Sequence, residues 1–199
     1  MLSKNVIFSD EKRFSFDGPD NWFSWFDPFD PPQRIKRQLG GGCVMVWGMT
    51  LPSGEIQVQR LIGKVDSDVY IAMLKEKVVP YLNSKFGQEK YLFQQDNCRV
   101  HVSKKTKNYL SSAKVKTIDW PSYSPDLNIQ ENVWKMISDE VYNTKQYDSA
   151  DILWVRIQRK NTAVKQLNEK KREAIKKIYD EYGRRLLKVV DLNGTSIEY

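Results

Sequence analysis

Cysteine is scarce in this chain. Cys43 and Cys98 are the only two in 199 residues, they lie far apart, and they form no CxxC pair. A disulfide framework is thereby excluded, and a reducing, intracellular compartment fits better. Histidine is scarcer still, with His101 alone. With no second histidine and no cysteine partner for it, a zinc site is not expected. No apolar run approaches the roughly 20 residues that a membrane span needs, and the N-terminus has no signal-peptide core. A soluble protein is expected. There is no P-loop and no GxGxxG, so no nucleotide cofactor is indicated. Internal repeats and low-complexity linkers are absent too.

What is present is the composition of a globular protein, 40% hydrophobic and 12% aromatic. The length suits one sizeable domain, residues 1–199. The net charge of +7 points to an anionic partner, of which nucleic acid is the commonest. Residues 150–199 carry 12 Lys/Arg against 7 Asp/Glu, largely on an amphipathic helical stretch, so a merely solvated face explains part of that charge equally well.

The first half reads as strands. Residues 4–10 form an apolar run with which Arg13–Phe16 can pair back. Val44–Leu51 is a continuous strand, and Glu55–Ile62 alternates as a half-exposed one, with Pro52-Ser53-Gly54 as the hairpin turn between them. From Ser67 to Phe86 the period becomes helical, through Tyr70, Leu74, Val78 and Leu82, and Pro80 is expected to kink or end that helix. A strand (91–95), a helix (102–112) and a strand (115–119) follow. A helical tail then runs through about 128–143, 149–162 and 165–190, so that about 144–199 forms C-terminal helices. Antiparallel strands followed by alternating strands and helices imply a mixed sheet covered by helices. Asp17–Gly42 fits no element; it is rich in Pro, Gly and aromatics and ends in Arg34, Lys36 and Arg37. So long a connection is usually functional. It either folds onto its own core or docks on a partner subunit or DNA.

Three acidic residues stand out. Asp10 closes the run Val6-Ile7-Phe8-Ser9, Asp96 closes Tyr91–Gln95, and Glu131 lies just inside a helix, with 34 residues between the last two. Two carboxylates at strand ends and one on a helix can converge on one point, where divalent cations would relieve their repulsion. Each also has a structural alternative: a turn or cap for the aspartates, and a capping-box role for Glu131 behind an Asn128 N-cap. Asp126 is better placed as a turn residue. His101, five residues after Asp96, can position a phosphate or a metal-bound water, or simply hydrogen-bond within the fold. Gly40-Gly41-Gly42 precedes a strand and reads as a hinge, not a phosphate cradle.

Taken in order, Phe8-Ser9-Asp10-Glu11, Gly40–Gly48, Gln94-Gln95-Asp96-Asn97 with His101, and Trp120–Asn128 before Glu131-Asn132-Val133-Trp134 closely resemble the catalytic domain of Tc/mariner-superfamily DDE transposases. The 34-residue interval matches the Tc-type triad, and the resemblance covers nearly the whole chain. It implies an RNase H-like fold with a five-stranded sheet and a clamp-like insertion at about 17–42 that reaches the other subunit of a homodimer. It implies Asp10, Asp96 and Glu131 as catalytic residues holding two Mg²⁺ (or Mn²⁺) ions, with Asp10 bridging and Asn97 and His101 in support. The implied reaction cuts transposon ends and joins 3′-hydroxyls to target DNA, at TA in this family, which places the protein in the nucleus. Arg34, Lys36, Arg37, Lys104, Lys105 and Lys107 would track phosphates. Relatives carry paired helix-turn-helix modules before this domain; Met1 falls nine residues before Asp10, so these are expected to be absent. The chain also has Ile129 where relatives commonly have proline, which should loosen the helix start without moving Glu131. A non-catalytic DNA-binding scaffold and a nuclease of the same fold remain as alternatives.

Overall fold

The computed structural model describes residues 5–18, 42–87, 91–142, 147–166 and 169–192. Among them, five strands form one mixed sheet in the order β3-β2-β1-β4-β5. They are β1 (Val6–Ser15), β2 (Cys43–Thr50), β3 (Ile56–Leu61), β4 (Leu92–Phe93) and β5 (Lys116–Thr117). The β1–β2 and β2–β3 pairs are antiparallel, whereas β1–β4 and β4–β5 are parallel. The mixed, helix-covered sheet expected from the pattern is thus present. The Pro52–Gly54 turn closes the β2–β3 hairpin, with Leu51 N–H donating to the Glu55 carbonyl at 2.8 Å and Gly54 at a φ of 76°. That left-handed conformation suits glycine.

Strand β1 corrects the expected short run and return. Residues 6–15 form one continuous strand, because β2 pairs with it from Phe8↔Thr50 to Ser15↔Cys43. Asp10 is therefore mid-strand. It marks the end of the parallel half only, since β4 pairs with just Val6 and Ile7. The strands expected at 91–95 and 115–119 shrink to two residues each.

The period of two in β1 sends side chains to opposite layers. Ile7 joins Trp47, Met49, Tyr70, Leu74, Leu82 and Phe93 on one face. Val6, Phe8 and Phe14 face the other, under α5 (Ile129–Val141), α6 (Ala150–Gln166), α7 (Glu169–Asp180) and α8 (Tyr182–Asp191). There Phe8 meets Trp120, Tyr179 and Tyr182 edge-on, with centroids 4.8–6.3 Å apart. Such pairs add to the burial of large rings.

On the first face, α1 (Ser67–Met73) is capped by Asp66, whose carboxylate accepts the Asp68 and Val69 N–H groups. Pro80 neither ends nor breaks the segment that follows. A π-helical turn, Leu74–Val78, widens the helix just ahead of the ring, and α2 (Val79–Phe86) continues with the proline in its first turn. The missing N–H falls where it costs least. The helix expected at 102–112 is two: α3 (Arg99–Val102) and α4 (Lys104–Ser112), separated by Ser103, which is extended and caps α4. The last helix expected, 165–190, also divides, at Glu181 between α7 and α8. No helix among the described residues is long and apolar enough to cross a membrane. Residues 19–41, with Arg34, Lys36, Arg37 and most of the expected clamp, lie outside the described residues.

Candidate active site

The parallel register brings the first two carboxylates together. Val6 pairs with Leu92 and Ile7 with Phe93, and the same offset carried onward sets Asp10 abreast of Asp96. The tie continues past β4: Gln94 N–H donates to the Ile7 carbonyl at 2.8 Å, and the Gln94 side chain accepts the Ser9 N–H at 3.0 Å. Glu131 arrives from the other layer. Asn128 caps α5 by accepting the Gln130 N–H at 3.1 Å, while its amide donates to the Ser9 carbonyl at 3.1 Å. One side chain thus fixes the start of the Glu131 helix against the residue beside Asp10. Ile129, fully buried beside Phe8, anchors the same turn. Asn128→Ala should destabilise the fold by about 2 kcal/mol, combining a lost cap and a lost buried hydrogen bond. Asn128→Ser, which keeps the cap, should recover roughly half of that; denaturant midpoints test both.

Asp10, Asp96 and Glu131 line one cavity of about 390 Å³, together with Asn97, Cys98, Asn128 and the wall Trp120–Pro125. Asn97 holds that wall by donating to the Trp120 carbonyl at 2.6 Å. Tyr123 sits on the rim, fully exposed and with a φ of 54°. Asp126 is buried in the 3₁₀ turn Pro125–Leu127 and does not line the cavity.

The electrostatics are those of crowded anions. Burial, then the Glu131 and Glu11 charges, push the Asp10 carboxyl up to about 8, against a Trp134 indole N–H that donates to it at 3.0 Å. Burial also raises Glu131, with Lys12 opposing. Asp96 is lowered, first by its His101 contact and also by the Cys98 N–H at 2.9 Å. Two partly buried carboxyls whose ionisation is disfavoured, beside a third whose ionisation is favoured, make a set of hard oxygen donors short of positive charge. Such a set fits divalent cations.

His101 is buried, with Nδ1 2.7 Å from Asp96 Oδ1 and Nε2 3.2 Å from Glu11 Oε1. Burial disfavours its charge, but the Asp96, Cys98 and Glu11 contacts outweigh that and push it up. It therefore braces Asp96 from behind. Glu11, Trp134 and Gly48 carry no role in the sequence reading, although the first two lie in motifs that contain catalytic acids. Gly48 pairs with Asp10 across β1–β2 and leaves room for Trp134. Lys104 and Lys107 are exposed on α4, while Lys105 is paired with Asp68 at 2.7 Å.

Fold and site together define an RNase H-like domain with a carboxylate triad at the parallel side of its sheet. The family model for the DDE superfamily endonuclease matches residues 5–153. The chain is 39% identical to the transposable element Tc3 transposase of Caenorhabditis elegans over 139 residues, 69% of this chain and 42% of that protein. It is 32% identical to the Tcb2 transposase of Caenorhabditis briggsae over 209 residues, 98% of this chain and 70% of that protein. Among solved structures, the Mos1 transposase paired-end complex with left transposon end superposes with a TM-score of 0.81 at 18% identity, over 99% of this chain and 57% of that chain. The Mos1 catalytic domain with raltegravir and Mn gives 0.72 at 16% identity, over 97% and 84%. The chain belongs to the DDE superfamily of endonucleases, on its Tc/mariner branch.

Proposed function

We propose that this chain is the catalytic domain of a DNA transposase, cutting transposon ends and joining their 3′-hydroxyls to target DNA. The observation that carries this is the convergence of Asp10, Asp96 and Glu131 on one cavity. Two divalent ions, Mg²⁺ or Mn²⁺, would supply Lewis acidity to an attacking oxygen and to the leaving oxygen of an in-line displacement. Asp10, oriented by the Trp134 indole, would hold the ions together with Asp96 and Glu131. Asp96 is aimed by His101 and the Cys98 N–H, and Glu131 by α5. Asn97 positions the Trp120–Pro125 wall against the reacting strand. No side chain needs to form a covalent link to DNA.

Solved structures of the Mos1 transposase include complexes with a transposon end, with Mg and with Mn, which supports DNA and divalent metal here. Insertion at TA, action in the nucleus and a homodimer joined through about 17–42 belong to the same proposal. So do phosphate contacts by Arg34, Lys36, Arg37, Lys104, Lys105 and Lys107, with Lys105 the weakest because Asp68 already neutralises it.

A strand-transfer assay with a pre-cleaved end and Mg²⁺ or Mn²⁺ tests the proposal. Joined product is expected, with binding that weakens steeply as salt rises. Cutting without joining would instead identify a nuclease, and neither activity would identify a scaffold.

A further inference from the structure

The scarcity of cysteine and histidine argues against a zinc site, yet the fold brings three possible donors together. Cys98 lies two residues after Asp96, and α3 carries His101 back towards both. The Asp96 carboxylate, the Cys98 sulfur and the His101 imidazole all lie within 4.8 Å of one another. We propose that Asp96, Cys98 and His101 form a second, soft-metal site that takes Zn²⁺ or Cd²⁺ and withdraws Asp96 from the carboxylate triad.

The donor chemistry separates this site from the triad. Asp10, Asp96 and Glu131 offer only oxygen, which suits Mg²⁺ and Mn²⁺, whereas a thiolate with an imidazole selects softer ions. A tetrahedral zinc centre, with bonds of about 2.0–2.3 Å, needs donors about 3.3–3.8 Å apart. With no pair more than 4.8 Å apart, that spacing is reached by contractions of at most about 1 Å at Cys98, while the 2.7 Å Nδ1–Asp96 contact opens by about half as much to admit the ion.

The imidazole is already oriented for the purpose. Glu11 accepts from Nε2 at 3.2 Å, so Nε2 keeps its proton and Nδ1 is left to face the ion. An outer carboxylate of this kind commonly fixes a metal-bound histidine. The Tyr70 ring lies 4.4 Å from the imidazole, centroid to centroid, and limits its rotation. Cys98 is exposed and lines the cavity, so an ion can enter from solvent and a fourth position stays open on that side. On binding, the Nδ1 proton and the thiol proton leave to solvent, and nothing is oxidised or reduced.

The probe is Cd²⁺ alone, followed by its ultraviolet thiolate charge-transfer absorption, which reports only ions bound to sulfur and is silent on ions held by oxygen donors. One tight equivalent per chain is expected in the wild type and in Cys43→Ser, which removes the only other thiol. The tight signal should vanish in Cys98→Ser and weaken at least tenfold in His101→Gln and in Asp96→Asn. Asp96 is half-exposed, so its variant tests chelation even where His101→Gln disturbs the fold. A tight signal that survives in Cys98→Ser, or that is lost in Cys43→Ser, overturns the proposal. So does unchanged affinity in Asp96→Asn, since a thiol acting alone would then account for the binding.

Discussion

Asp10→Asn should abolish metal-dependent cleavage and strand transfer, by at least about 10³-fold, while making the metal-free protein more stable at high pH. Both effects follow from the same burial. In the unfolded chain the Asp10 carboxyl titrates near 3.8; in the fold, burial and the nearby Glu131 and Glu11 charges move it to about 8. The folded state therefore binds the proton more tightly, and its contribution to stability is complete below pH 3.8. That contribution is lost as pH rises towards 8, because ionising the side chain in the fold costs several times the thermal energy. Asparagine keeps an oxygen for the Trp134 indole and never ionises. Thermal melts of the variant and the wild type should coincide near pH 4 and separate by about pH 9, with the variant higher. Added Mg²⁺ or Mn²⁺ should raise the wild-type melting temperature at the higher pH and leave the variant unmoved, since a cation repays the charge only where there is one. A variant that melted lower than the wild type at about pH 9 would show that Asp10 is not held among unneutralised anions.

The acids themselves were legible in sequence because each ends or begins a recognisable pattern. Asp10 and Asp96 close similar apolar runs, and Glu131 follows an Asn128 cap that the structure places as expected. Asn97 and His101 were named as supports through the resemblance alone; Glu11 and its link through His101 were not legible, for two physical reasons. Glu11 and Asp10 are neighbours in sequence but point into opposite layers, and that alternation matters only once β1 is known to run unbroken through residue 15. His101 then reaches around the end of the parallel pairing to link Glu11 with Asp96, a contact that no single-segment pattern encodes. Pro80 shows the opposite failure. Its local rule was sound, but a π-helical turn ahead of it supplied the room that the rule assumes is missing. Cys98 was set aside as lying far from Cys43 with no CxxC pair, and His101 as lacking a cysteine partner, although one turn of α3 is enough to bring Cys98 and His101 together.

Gly48→Ala should be the most damaging change that touches no charged group. Gly48 sits opposite Asp10 in the β1–β2 ladder, and an added Cβ would lie 2.5 and 2.7 Å from Trp134 Cη2 and Cζ2 and 3.1 Å from Gln130 Nε2. Both neighbours are completely buried, and Trp134 is further hemmed in by Phe14 at 5.9 Å, so neither can swing aside. Overpacking of this kind costs about 2–3 kcal/mol, which in a chain of this size lowers the melting temperature by about 5–10 °C. Activity should fall as well, because α5 carries Trp134 and Glu131 together and the indole holds Asp10. Trp134→Phe separates the two consequences. It removes the two ring atoms that the new methyl would strike, but it also removes the N–H donated to Asp10. The double variant Gly48→Ala/Trp134→Phe should therefore be more stable than the sum of its single changes allows, with a coupling of about 1–2 kcal/mol, yet remain as inactive as Trp134→Phe alone. If the double variant regained activity along with stability, the indole would matter only as packing, and the orientation of Asp10 would have to come from the strand itself.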